Sequence, residues 1–339
     1  MTLAGRTAAI TTLTDALTDA AEGCSRTVLV EGPTGCGKSA LVHLLIERAA
    51  AAGAVVLSAA GSPAERRTAW GVTRRLLAGH RRPARWQRAA ERAPRGENVP
   101  ALCAELREVS GGGPLVLCVD DVHHADAESL AFVRHLARHV RSARMLLAVA
   151  VTVHHESGDP AFTAELTSRP ASRRVRLEPL GPAEVTALAE RAGRREHTAF
   201  LNESSGGNPL LLRALLTSAE PGTARPVSAH PFPDTDSPFA WAVRACLHRA
   251  GPTAAAVARA AALLDDTATP DRIAQLTGIA PAAVRQGVAG LRAAGLLSGT
   301  GVPRPAVRAV VLGALSPARP STPGGVTAAP ALAGLGRAR

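Results

Sequence analysis

The chain has 339 residues, a formal net charge of +11, 46% hydrophobic residues, no tyrosine, and a single lysine. Arginine, alanine, glycine and proline have GC-rich codons, so the basicity reads largely as base composition, although a basic surface attracts polyanions nonspecifically. The five cysteines have no Cys-x-x-Cys or Cys/His spacing, no signal peptide opens the chain, and the longest apolar stretch, 145–153, is too short to span a bilayer; this excludes a disulfide framework, a zinc ribbon and a membrane protein, and predicts a soluble cytoplasmic chain of two or three domains.

Apolar runs of strand length recur at 27–31, 54–59, 114–120, 144–152 and 174–180, with helical patterns at 37–51, 65–78, 100–109 and 126–140 between them. The runs are nearly continuously apolar, as parallel strands covered on both faces must be. Alternating strands and helices predict an α/β fold with a parallel sheet. The charged, breaker-rich segment 79–99 reads as a surface insertion. From about 182 the strand runs stop, and 181–193 and 208–219 read as helices. Segment 221–238 is rich in Pro, Ser and Asp and reads as a linker. Helical patterns return at 239–250, 253–264, 270–277 and 281–294, two of them opening on prolines, Pro270 and Pro281. A glycine turn, a wing-like stretch and one more helix then complete a winged-helix pattern. The predicted organisation is an α/β P-loop NTPase domain over 1–180, a helical lid over 181–220, a linker over 221–238, a winged-helix-like domain over 239–315 and a disordered tail over 316–339. Four prolines and four glycines forbid a long helix in that tail.

The single lysine marks the chemistry. Gly32, Pro33, Thr34, Gly35, Cys36, Gly37, Lys38 and Ser39 read GPTGCGKS, a complete G-x4-G-K-[ST] between a strand and a helix. Glycines let backbone N–H groups close around phosphate oxygens, and the helix N-terminus adds its positive dipole end. Lys38 sets a compact ammonium against the β- and γ-phosphates, where the planar fork of arginine is too large. Codon drift can replace lysine elsewhere but not there. The expected ligands are ATP and Mg²⁺, with Ser39 on the metal. The acidic half of such a site follows the third apolar run: Asp120 is the second candidate metal ligand, and Asp121 the residue that orients or deprotonates attacking water. His123 and His124 are adjacent and are expected to point apart, with no metal role, in a surface turn or with one of them lining the nucleotide pocket. Asp126 is placed to cap the next helix.

The ordered set of motifs resembles the N-terminal ATPase region of the large ATP-binding LuxR-type transcriptional regulators of actinomycetes, within the STAND class of AAA-related P-loop NTPases. The resemblance covers roughly residues 3–318 and rests also on LAGRTAAITTLTDAL, SAAGSPAERRTAWGVTRRLL, SSGGNPLLLRALL and VPRPAVRAVVLGALSPAR. It implies that Gly5 and Arg6 lie near the nucleotide base, and that Gly207, Asn208 and Pro209 open a lid helix with Pro209 against adenine. It implies ATP and ADP as partners, leaves self-association open, and assigns no direct DNA binding to this chain alone. The family usually carries an arginine just after the fourth strand. Here Thr152 and Val153 stand near that place and no arginine appears before Arg169, so slow or absent hydrolysis is expected. The relatives also continue to a C-terminal helix-turn-helix, where this chain turns into breakers, a pattern that reads as truncation or a shifted frame. Two alternatives remain: a productive AAA-type ATPase, and a DNA-binding protein using Arg285, Gln286 and Arg292 on the helix over 281–294.

Overall fold

Three of the apolar runs become the buried centre of a five-stranded parallel sheet. The computed structural model describes residues 3–78, 99–139, 143–217 and 236–314. The insertion at 79–99, all but the last residues of the linker at 221–238 and the tail at 316–339 therefore lie outside the described residues, save Val99 at the edge of a helix. Strands β1 (Arg26–Gly32), β2 (Val55–Ala60), β3 (Leu115–Asp120), β4 (Met145–Thr152) and β5 (Ser172–Arg176) lie in the order β2-β3-β4-β1-β5. Side chains alternate across a strand, and here both faces are covered. Val28, Val30, Val116, Cys118 and Leu146 join the core beneath α1 (Thr7–Ala21) and α2 (Lys38–Ala51). Leu29, Leu117, Leu147 and Val149 join the opposite core with α3 (Gly71–Ala78), α4 (Val99–Gly111), α5 (Ala127–His139) and α6 (Pro160–Thr167). This is why the central runs show no polar alternation.

Two elements differ from the sequence pattern. The fifth strand ends at Arg176 rather than near 180. It is an edge strand, so its arginines face outward, and Arg174 reaches back to pair with the buried Glu31. Leu177 N–H still bonds Glu31 O at 2.7 Å, but Leu180 N–H bonds Gly207 O at 2.7 Å, which draws the chain off the sheet. The helix expected over 65–78 begins only at Gly71. Asp126 accepts from Trp70 N–H at 2.8 Å and Val72 N–H at 3.3 Å, and Ser129 Oγ accepts from Thr73 N–H at 3.0 Å. These bonds take the first donors of α3, and Trp70 turns to φ 61° to present its own. Asp126 also accepts from Ser129 N–H at 2.9 Å, so it caps α5 as expected and α3 as well.

Beyond the sheet the chain is helical: α7 (Pro182–Arg191), α8 (Thr198–Ser205), α9 (Pro209–Thr217), α10 (Pro238–Ala250), α11 (Pro252–Leu264), α12 (Pro270–Thr277), α13 (Pro281–Ala293) and α14 (Pro305–Gly313). One apolar core runs through them, from Leu180 through Leu211, Leu215, Phe239 and Val257 to Val311. Helix α11, PTAAAVARAAALL, is alanine-rich enough for α13 to approach closely. A Cβ on Gly287 would lie 3.2 Å from Val257 Cγ2. The expected wing is one antiparallel bridge, Leu297 to Pro303, with Ser298 N–H on Val302 O at 2.8 Å. Eight of the described helices open on a proline, where the missing N–H costs nothing. No helix among the described residues is long and apolar enough to cross a membrane.

Candidate functional site

Ligands of open parallel sheets bind beyond the carboxyl ends of the strands, and here that edge carries a cavity of about 270 Å³. The loop leaving β1 forms its floor. Gly35 at φ 83° and Gly37 at φ 94° adopt left-handed conformations that most side chains avoid, and Gly37 caps α2 so that Lys38 is its first residue. Lys38 is buried, and its ammonium donates to Gly32 O and Pro33 O, both at 3.1 Å. Burial pushes its pKa down, opposed first by Asp121. Thr34, Gly35, Gly37, Lys38, Ser39 and Pro209 line the cavity together with Asp121. Gly32, Pro33 and Cys36 form the frame of the loop instead, with the Cys36 side chain fully buried.

Asp121 stands at φ 44°, a conformation rare outside glycine. Burial, then the neighbouring Asp120, push its carboxyl pKa up, against Lys38 and Arg249. A carboxylate so shifted is a better proton acceptor than an ordinary one. Asp120 does not line the cavity; it ends β3 and accepts the Asp121 N–H at 2.8 Å. Hydroxyl and carboxylate oxygens on Ser39 and the two aspartates suit a hard dication such as Mg²⁺. Two adjacent acids, one of them raised by burial and then by the other, are a charge that a dication would relieve.

The sequence reading missed three features. Asn208, fully buried, donates from Nδ2 to Thr34 O at 3.0 Å and to Ala294 O at 2.8 Å, and its Oδ1 accepts from Leu210 N–H at 3.0 Å. One side chain thus joins the phosphate loop, the start of α9 and the end of α13. It also lies 4.0 Å from the Cys246 sulfur, and a Cβ on Gly35 would lie 2.5 Å from its Oδ1. Second, Arg213 and Arg249, from α9 and α10, line the cavity. Arg213 follows Pro209 by one helical turn, a spacing visible in the sequence; nothing local to Arg249 announces it. Third, His123 and His124 do not point apart. Their ring centroids are 4.1 Å from one another and 4.4 and 4.7 Å from that of His155, which arrives from the loop after β4. Successive residues converge because Val122–His124 is a tight 3-10 turn. All three imidazoles are buried.

Arg6 donates to Cys36 O at 3.2 Å and Glu178 O at 2.6 Å, so it braces the loop from behind and does not line the cavity; Leu3 does. Thr152, at the place where an arginine was sought, is buried, and its N–H reaches His123 Nδ1 at 3.4 Å. A cavity of about 360 Å³ at the opposite end of the strands, near Arg26 and Arg169, has no phosphate-loop groups.

Residues 2–149 match the family model for the AAA ATPase domain. Among solved structures, the chain is similar to the Aeropyrum pernix ORC2 protein, seen as ADPNP–ADP complexes, at 13% identity, with 92% of this chain and 94% of that one covered and a TM-score of 0.49. It is similar to Thermotoga maritima RuvB at 14% identity, with 87% and 89% covered and a TM-score of 0.48. No curated protein matches the chain.

Proposed function

Starting from the AAA ATPase domain matched over residues 2–149, we propose that the chain is a nucleotide-gated switch: the cytoplasmic, ATP- and Mg²⁺-binding regulatory module of a LuxR-type transcriptional regulator, hydrolysing slowly. The observation that carries this reading is the convergence of three segments on one cavity. The phosphate loop, α9 and the helices from α10 onward meet there through Asn208, Arg213 and Arg249. Phosphate in the cavity is then felt directly by the C-terminal helices.

Lys38 leaves the carbonyls of Gly32 and Pro33 for the β- and γ-phosphates. Pro209 lies against the adenine, and Arg6 keeps the loop in place from behind. Ser39 and Asp120 would hold Mg²⁺, which supplies charge neutralisation at the phosphates when bound. Asp121 takes the proton of the attacking water. No arginine or lysine stands between β4 and Arg169, so the γ-phosphate draws Arg249 and Arg213, and with them α10 and α9. Losing that phosphate releases them, and the gate opens. The bundle from α10 to α14 serves as a winged-helix arm turned inward: Gln286 Nε2 donates to His155 O at 3.0 Å, and Gly290 faces His154. This packing takes up part of the face a DNA-reading helix would need.

The test compares nucleotides. Arg249→Ala should weaken ATP binding about tenfold, about 1.4 kcal/mol, and leave ADP binding unchanged. Equal loss for both, or none, removes the gate. Turnover should fall below about one per minute, far under the usual enzyme range of roughly 1–10³ s⁻¹; turnover within that range favours a working ATPase.

A further inference from the structure

Of the three converging histidines, His123 and His124 line the cavity and His155 stands behind them, and the reading above uses none of them. We propose that His123, His124 and His155 form a binding site for a divalent transition ion of the zinc class, separate from the Mg²⁺ carried by the nucleotide. The geometry argues for it first. One ligand-capable nitrogen from each ring lies within 4.8 Å of the others, and the residues are only 5, 9 and 4% exposed. Around a tetrahedral ion with Zn–N of about 2.1 Å the nitrogens stand roughly 3.4 Å apart, so modest ring rotations close the site.

The second argument is unmet hydrogen bonding. His124 Nδ1 is buried and has no partner, and His155 Nε2 has none of good geometry, only a marginal contact of the ring with the Arg249 backbone. Buried polar atoms left bare are rare and costly, and an ion would engage both. Polar groups at this depth that serve only packing are normally replaced by apolar ones or given partners. Third, the loops bringing the rings together are strained. Asp121, before the first pair, has φ 44°, and His154, before the third, has φ 58°. Outlying backbone of this kind persists where the surroundings hold it, and it clusters at sites.

Chemistry selects the ion. Imidazole nitrogens suit zinc, cobalt, nickel and copper rather than magnesium or calcium. Burial, with repulsion among the rings and nearby Lys38 and Arg66, keeps His123 and His124 neutral, at about 2 and about 4, and so in the ligating form. The Glu156 carboxylate supplies a counter-charge: Glu156 Oε1 and His155 Nε2 lie 2.6 and 3.5 Å from one point, the place a Cβ on Gly251 would occupy. His155 Nδ1 accepts from Ser157 N–H at 3.0 Å in the empty site. With an ion on Nε2, the ring's one proton moves to Nδ1 and the bond from Ser157 is given up, as is the long bond from Thr152 N–H to His123 Nδ1 at 3.4 Å.

The test uses the full chain without nucleotide, in excess Mg²⁺ to fill oxygen sites. Zn²⁺ is titrated by calorimetry and Co²⁺ by visible absorption. The expected result is one ion per chain and an intense Co²⁺ spectrum of tetrahedral, nitrogen-rich type. His124→Gln and His155→Gln should each weaken binding roughly tenfold or more, while His43→Gln, exposed on α2, leaves it unchanged. Absence of stoichiometric binding, a weak octahedral Co²⁺ spectrum, a thiolate charge-transfer band, or binding that survives both variants overturns the proposal. Should either variant fail to fold, the wild-type spectrum decides alone.

Discussion

Replacing Asn208 with alanine should separate the two halves of the molecule. The side chain is fully buried and makes three good hydrogen bonds: to Thr34 O at 3.0 Å, to Ala294 O at 2.8 Å and from Leu210 N–H at 3.0 Å. Truncation leaves two carbonyl oxygens without their donor in a region closed to water, at about 1–3 kcal/mol each. It also removes the acceptor at the start of α9, worth about 1 kcal/mol. The sum is roughly 3–7 kcal/mol, a large share of the 5–15 kcal/mol typical of a folded protein. Asn208→Asp refines the test. It keeps an oxygen for Leu210 N–H but turns an acceptor toward two carbonyls, so it should be no better than alanine. Urea denaturation followed by circular dichroism measures both variants. The C-terminal helices should unfold before the sheet, giving two transitions where the wild type gives one. If Asn208→Ala stays within about 0.5 kcal/mol of wild type, as an ordinary surface change would, the side chain does not join these segments.

Lys38→Ala should lose nucleotide stabilisation: ATP at 100 times Kd raises wild-type stability by about 2.7 kcal/mol, and thermal shift should find none in the variant. Asp121→Asn should bind ATP with wild-type affinity and lose what hydrolysis there is; phosphate release at the wild-type rate refutes its role as base. Asp126→Ala removes the acceptor for Trp70, Val72 and Ser129 and should cost roughly 3 kcal/mol by denaturant titration. Burial raises the Asp126 pKa, but the hydrogen bonds from Ser129, Val72 and Trp70 outweigh it and leave it lowered. Its contribution is therefore complete above the unfolded carboxyl value of about 3.9 and is lost as pH falls through the lower folded value. Asp126→Asn should remove that part of the acid dependence.

The phosphate loop was legible because its chemistry is local. Eight consecutive residues, a strand before and a helix after, specify it without any distant contact. The central strands were legible for a related reason: two-sided burial is written into β1, β3 and β4 as unbroken apolar sequence. What escaped depends on distant partners. The fifth strand ends where Gly207 O claims the Leu180 amide, and α3 starts late because Asp126, far along the chain, takes its first donors. Asn208 was read as the opening of a lid helix, yet its two donors go to Thr34 and Ala294, 174 and 86 residues away. The histidine pair was read by the rule that neighbours point apart, which holds for a strand and fails in a 3-10 turn.

The burial of the cysteines gives the chain a built-in clock. Cys36 lies in the phosphate loop and Cys246 on α10, 4.0 Å from Asn208 Nδ2, and both side chains are closed off. Burial pushes their thiols up to about 11 and about 12, while Cys24 is exposed. A maleimide probe attacks thiolate, so it should take Cys24 at once and reach the inner pair only when the loop and the helices part. Cys103 and Cys118 are buried too, so the slow label is mapped by peptide to Cys36 and Cys246; labelling there counts openings of the interface in unmodified protein, and its dependence on ATP against ADP reads the gate without any engineered label.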